Sequence, residues 1–235
     1  MRPTTVSMLP EVEALAETAL FEGLTTEHLE AMRQHMRRKT FPAGTNIVTA
    51  EQPGDVLFVI LSGTVKVQVE QLDGSEVILA VLGAGQSIGE MSMTDRLVRS
   101  ASVVTLDEST LAWMDRATFA GYQQLIPRLL LNVAVILSNR LRVANAQIQA
   151  LATQDVYGRV ARQILSLADA YGKDDGKGGR LIPLRLTQGD FANLVGASRV
   201  RVNQALVLFK DQHYVSVDAG HRITVHNADA LAARC

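Results

Sequence analysis

The chain has 235 residues, a formal net charge of -1, 47% hydrophobic residues and 20% charged residues. That length suits one large domain or two small ones, and the composition supports a packed core and excludes wholesale disorder. The single cysteine, Cys235, excludes a disulfide framework and any cysteine-based zinc or iron–sulfur site within one chain.

The longest apolar stretch, around Leu129 to Leu137, is broken by Asn132 and falls short of the roughly 20 residues that cross a bilayer. The N-terminal stretch MRPTTVSMLPEVEALAE is acidic where an export signal carries its apolar segment. A soluble protein of a reducing cytoplasm, with no membrane partner, is expected. The charge is unevenly spread: residues 153–235 carry 11 Lys and Arg against 8 Asp, whereas residues 1–152 carry 12 basic against 16 acidic groups. A mildly basic C-terminal third is compatible with a nucleic-acid partner.

Residues 11–39 read as helical, with Leu15, Leu20, Leu24 and Leu29 among charged residues and Thr26 as a cap. From Phe41 to Met114 short β-branched runs alternate with turns such as Pro53-Gly54-Asp55 and Asp73-Gly74. Val65, Val67 and Val69 alternate with Lys66, Gln68 and Glu70, the period of a half-buried strand. Asp73-Gly74 suits a type I′ hairpin turn. Many short strands at this spacing make a sandwich or jelly-roll barrel.

After Asp115 the period becomes helical. Leu130, Leu137, Ala144 and Leu151 are spaced by seven, and Ala134, Leu141 and Ile148 complete an a/d stripe. That stripe predicts a two-stranded dimer seam, with polar Asn132, Asn139, Arg140, Arg142, Asn145 and Gln147 on the other faces. A single helix packed on its own domain is the alternative. Asp155 can cap a second helix. KDDGKGG, residues 173–179, reads as a flexible loop, and Leu181 to Leu186 as a short strand whose Pro183 suits a sheet edge.

Thr187 to Asp190 has the spacing of a capping box, followed by an apolar face of Phe191, Leu194 and Val195. Gly196 supplies a turn, and Ser198 caps a further helix carrying Val202, Ala205, Leu206 and Phe209. Two short helices about a glycine turn make a helix-turn-helix. YVSV and RITVH around Asp218-Ala-Gly220 add a hairpin, or wing.

The most informative stretch is IGEMSMTDRLVRSASV, residues 88–103. A short helix starting at Gly89 directs free backbone N–H groups outward. Arg99 can grip a phosphate bidentately, with Ser100 beside it, and Glu90 can accept from a ribose hydroxyl. A structural Glu90–Arg99 ion pair is the competing reading.

This segment resembles the phosphate-binding cassette of cyclic-nucleotide-binding domains, Gly-Glu followed by Arg-Ser-Ala. The order of barrel, long helix and winged helix resembles the CRP/FNR transcription regulators, closest to the cAMP receptor proteins. PAGTNIV, GDVLFVILSGTVKV, RLRVANAQIQAL, DVYGRVA and LTQGDFANLVGASRVRV carry the likeness over nearly the whole chain. It implies an α+β fold: an N-terminal β-roll, a dimerisation helix at about 117–152, and a winged helix-turn-helix over 153–235.

By that resemblance Gly89, Glu90, Arg99 and Ser100 would hold the sugar and cyclic phosphate. The base would lie near Leu141, Ala144 and Asn145, where the family's adjacent Thr and Ser are replaced. An oxygen sensor of this family needs a cysteine cluster. A haem sensor or a metal-dependent cupin enzyme needs barrel imidazoles, yet the five histidines stand at 28, 35, 213, 221 and 226. No metal, cofactor or catalytic group is therefore expected, and cAMP is the expected effector. A CRP-like regulator active without a nucleotide is the alternative, and the cupin enzyme a remote one.

For DNA, Arg199 at the start of the second helix would pair with guanine and Gln204 with adenine. Val200 stands where the family has Glu. Arg201, Thr187, Gln188 and Lys210 are candidate phosphate contacts, with Ser198 beside them. The partners implied are palindromic double-stranded DNA, a cyclic nucleotide, RNA polymerase and a second copy of the chain.

Overall fold

A computed structural model describes residues 9–95 and 97–235. Residues 1–8, the start of the stretch read above for an export signal, lie outside the described residues, as does Arg96. The chain forms two compact units: residues through Val69 with Ala80–Arg142, and Glu70–Leu79 with Val143–Cys235.

The first unit opens with α1 (Val12–Ala16), a 3-10 turn at Ala19–Phe21, and α2 (Thr26–Arg33). The helical reading of residues 11–39 holds only in part, because β1 (Arg37–Phe41) begins inside it. The cap also moves by one residue: Thr25, not Thr26, accepts from the His28 N–H. Then follow β2 (Asn46–Val48), β3 (Val56–Ser62), β4 (Thr64–Glu70), β5 (Glu76–Gly83) and β6 (Ser87–Ile88). After α3 (Glu90–Asp95) come β7 (Ser102–Thr105), β8 (Ser109–Asp115) and α4 (Arg116–Leu125).

The strands form two four-stranded sheets ordered β1-β8-β3-β6 and β2-β7-β4-β5, with antiparallel pairing. This is the expected β-roll. Alternation in β4 is weaker than its spacing predicts: Val65 is buried, but Val67 is half-covered and Gln68 is buried. The Asp73-Gly74 turn is not type I′, which needs positive φ at both residues. Gly74 alone has it, and its N–H closes the turn onto the Gln71 carbonyl at 2.9 Å.

Helix α5 (Pro127–Thr153) carries two stripes. Leu129 and Val133 are buried and Ile136 is half-buried, all three in the cluster formed by Leu15, Phe21, Met32 and Phe119. Asn132 lies on this inner face too, off the seam stripe. Its Nδ2 donates to the Leu20 and Glu22 carbonyls, both at 2.9 Å, which satisfies it at a buried position. The second stripe, Leu130, Leu141, Ile148 and Leu151, stands exposed about 100° around the helix. Leu137, at the border of the two, is partly buried in the unit's own core.

The second unit holds α6 (Val156–Tyr171), β9 (Lys173–Asp174), β10 (Arg180–Ile182), α7 (Gln188–Val195), α8 (Arg199–Asp211), β11 (Val215–Val217), β12 (Ile223–Val225) and α9 (Ala228–Ala232). Asp155 caps α6 by accepting from the Gly158 N–H. The KDDGKGG segment is a built turn: β9 pairs with β10, and Asp175 Oδ1 accepts from the Lys177 and Gly179 N–H groups at 2.8 Å. The sheet order β11-β12-β10-β9 leaves β10 interior. Pro183 therefore ends that strand rather than lying on an edge. No single helix among the described residues is long and apolar enough to cross a membrane.

Candidate functional site

Gly89 sits at the turn from β6 into α3 with φ +93°. A Cβ there would overlap the Arg99 guanidinium and lie 2.9 Å from the Val56 carbonyl oxygen. Only glycine lets the arginine close over this turn. Arg99 is 6% exposed, and its Nη2 donates to the Val56 carbonyl. Its Nη1 is buried with no hydrogen-bond partner among the described residues, as are Glu90 Oε2 and Ser87 Oγ. Burial pushes the Arg99 pKa down, Glu90 opposes that shift, and the nearby Arg116 adds to it. A buried guanidinium left short of anionic partners attracts an anion.

Glu90 is 1% exposed. It pairs with Arg140 of α5, rather than with Arg99 as the competing reading supposed. Arg140 Nη2 also donates to the Ser87 carbonyl at 2.6 Å. Arg140, one of the polar residues placed off the seam stripe, was given no partner by the sequence reading. Its position four after Ile136 and seven after Val133 was the available clue, because that spacing places it on the inner stripe. Of the six residues assigned to the effector, Gly89, Glu90 and Arg99 come together. Ser100 is exposed, its hydroxyl 3.9 Å from Met91 Sδ. Ala144 and Asn145 are exposed on α5, within the second unit.

In the second unit Thr187 and Asp190 form the full capping box at the start of α7. Gly196, φ +63°, reverses the chain in the left-handed region, and Ser198 caps α8. The Thr187 hydroxyl already donates to Asp190 Oδ2 at 2.7 Å, so a phosphate would compete for it. Gln188 Nε2 donates to Asn203 Oδ1 at 2.7 Å, tying α7 to α8. Val202, Ala205, Leu206 and Phe209 hold α8 down, leaving Arg199, Val200, Arg201 and Gln204 exposed. One positioning residue escaped the sequence reading. Arg159 of α6 donates to the Val195 carbonyl at 2.9 Å and the Gly196 carbonyl at 3.2 Å, clamping the turn between the helices. Nothing in its spacing marks a side chain that closes a helix end 36 residues away. Among the described residues no group of three or more His, Cys, Asp or Glu could hold a metal.

The fold and these two sites define a DNA-binding transcription regulator with a cyclic-nucleotide-binding domain. Residues 38–124 match the model of the cyclic nucleotide-binding domain, and residues 158–234 that of the Crp-like helix-turn-helix domain. The chain is 33% identical to the CRP-like cAMP-activated global transcriptional regulator of Mycobacterium tuberculosis, over 94% of this chain and 98% of that one. It is 30% identical to the cyclic AMP receptor protein of Thermus thermophilus, over 86% and 89% respectively. Among solved structures, FixK2 of Bradyrhizobium japonicum shares the fold at TM-score 0.75 and 15% identity, covering 85% of this chain and 96% of that one. The Thermus thermophilus catabolite activator protein matches at TM-score 0.52 and 29% identity, over 92% and 97%. The chain belongs to the CRP/FNR family of transcription regulators; it is not an enzyme.

Proposed function

We propose that the protein is a homodimeric, cAMP-responsive regulator of the cytoplasm that binds palindromic DNA and acts on RNA polymerase. Residues 1–152 form the sensor with its dimerisation helix, and residues 153–235 form the reader. The observation that carries the effector reading is the cassette itself: Gly89 and Arg99 interlocked, Glu90 held by Arg140, and buried polar atoms without partners among the described residues. A cyclic phosphate supplies the anion that Arg99 lacks, with Ser100 at its edge, and a ribose hydroxyl supplies a donor for Glu90 Oε2. Ala144 and Asn145 would face the base. The cAMP-activated relatives support the choice of nucleotide.

The exposed stripe of α5 supports the dimer, because a row of four large apolar side chains gains from burial against a second copy. Effector binding would then shift a population between two arrangements of that dimer. In the reader, Arg199 and Gln204 would contact bases, while Thr187, Gln188, Ser198, Arg201 and Lys210 would address the backbone.

Calorimetry with a cyclic-nucleotide panel, with and without operator DNA, tests the reading. Saturable cAMP binding that tightens when DNA is present is the expected result. Full DNA affinity without any nucleotide, and no heat with cAMP, overturns it in favour of an effector-independent regulator. Light scattering on wild type and Leu141→Asp tests the dimer. Leu141 suits this better than Leu137, whose loss would also damage the protomer core.

A further inference from the structure

The buried side of α8 is Val202, Ala205, Leu206 and Phe209. The opposite face therefore presents Val200, Asn203, Gln204 and Val207, spaced by helical turns. Val200, the second residue of the helix, is 66% exposed. Single exposed apolar side chains are common, so its neighbours rather than its exposure decide what could cover it. It is flanked by Arg199 and Arg201, both exposed, so an occupant must tolerate a strongly positive rim. A nucleic-acid polyanion does so. In the major groove the one apolar group on a base edge is the thymine C5-methyl.

Resting on the reading of α8 as the helix that enters the groove, we infer that Val200 is a specificity-determining residue that packs its methyls on a thymine C5-methyl. β-Branching limits Val200 to few rotamers, so its methyls present a fixed apolar surface. The Ser198 cap and the Gln188–Asn203 bond fix the first turns that carry it. Val200 therefore selects a base by shape and hydrophobicity, where its neighbours offer only charge and hydrogen bonds.

The test starts from a duplex enriched by the wild-type protein, with cAMP, from a pool with randomised half-sites. Each thymine is then replaced in turn by deoxyuridine, which removes only the methyl, and binding is read by fluorescence anisotropy. One thymine per half-site is expected to matter, its replacement weakening wild-type binding about three- to fivefold, as for one methyl removed from an apolar contact. Val200→Ala, an exposed change, should bind the thymine and uracil duplexes alike. If no replacement matters, or if Val200→Ala keeps the discrimination, the thymine contact is wrong while sequence-specific binding stands. If no motif is enriched at all, the DNA reading fails and takes this inference with it.

Discussion

The cassette around Gly89 and the surface of α8 both carry arginines, but in opposite states. Arg99 is buried, folded onto the Val56 carbonyl, and its Nη1 has no partner among the described residues. Arg199 and Arg201 stand in solvent and, among the described residues, form no ion pair. The first arrangement is costly before a ligand arrives, since a buried charge lacks compensation. The second costs little and is nearly indifferent to sequence until a base edge supplies its partners. A buried, under-partnered site is suited to a small ligand that completes it, whereas an exposed one is suited to a large polymer that supplies partners along its length.

That contrast can be broken most forcefully at the Glu90–Arg140 pair. Arg140→Ala leaves Glu90 buried and unpaired, which should destabilise the first unit by about 3 kcal/mol, the lower end for a broken buried pair because Arg140 is partly exposed. The double variant Glu90→Gln with Arg140→Ala removes the stranded charge and should recover much of the loss. Urea unfolding measures both, and equal instability of the single and double variants would show that the charge is not what Arg140 compensates.

Next in size is Arg99→Ala, which should weaken cAMP binding by about 10- to 150-fold, the worth of one charge-assisted hydrogen bond. Because the arginine is itself a burial penalty, the variant should stay folded. Unchanged affinity in calorimetry would remove Arg99 from the site.

What the sequence revealed of these two regions divides along the range of the interactions. The α7–α8 segment of the reader was legible almost residue by residue, because capping box, glycine turn and N-cap are interactions over three or four positions. The built 173–179 turn, the interior place of β10 and the Arg159 clamp instead rest on partners farther along the chain. The β-roll was legible as a class from its turn spacing, but not the Asp73-Gly74 turn type, closed by local bonds to Gln71 and Ser75, nor the partial burial of β4, which depends on what packs over it. The cassette motif pointed at Gly89, Glu90 and Arg99, yet not at Arg140, 50 residues from its partner. On α5 the exposed stripe was visible as a heptad with Asn132 off it, while the burial of Asn132 was not legible because its acceptors are the Leu20 and Glu22 carbonyls, remote in sequence. A polar residue on a helix reads as solvated until the element packed against it is known.

On the exposed side, Arg199→Ala should cost about 1–3 kcal/mol on the selected operator and relax preference at one base pair. Arg201→Ala should instead weaken all sequences alike and reduce the salt slope by about one unit. Selection from a randomised pool, repeated at two salt concentrations, distinguishes them. An unchanged motif with Arg199→Ala would mean that α8 does not read bases through its N-terminal residue.

The smallest expected effect concerns the cap beneath those residues. The Ser198 hydroxyl accepts from the Arg201 N–H at 3.4 Å, a long bond at an exposed helix start. Ser198→Ala should therefore destabilise the second unit by about 0.5–1 kcal/mol, the lower part of the range for N-caps, and Ser198→Asp should retain the cap. The two variants separate positioning from direct contact, because Asp keeps the first turn in place but sets a negative charge beside a polyanion. If Ser198 acts only as a cap, the alanine variant loses discrimination between operator and random DNA more than it loses overall affinity. If its hydroxyl also touches the phosphate backbone, alanine and aspartate should both weaken binding to every sequence, with aspartate the worse. Unfolding curves together with anisotropy on operator and scrambled duplexes decide between them, and equal stability of all three proteins would show that the α8 N-terminus is held by packing and not by its cap.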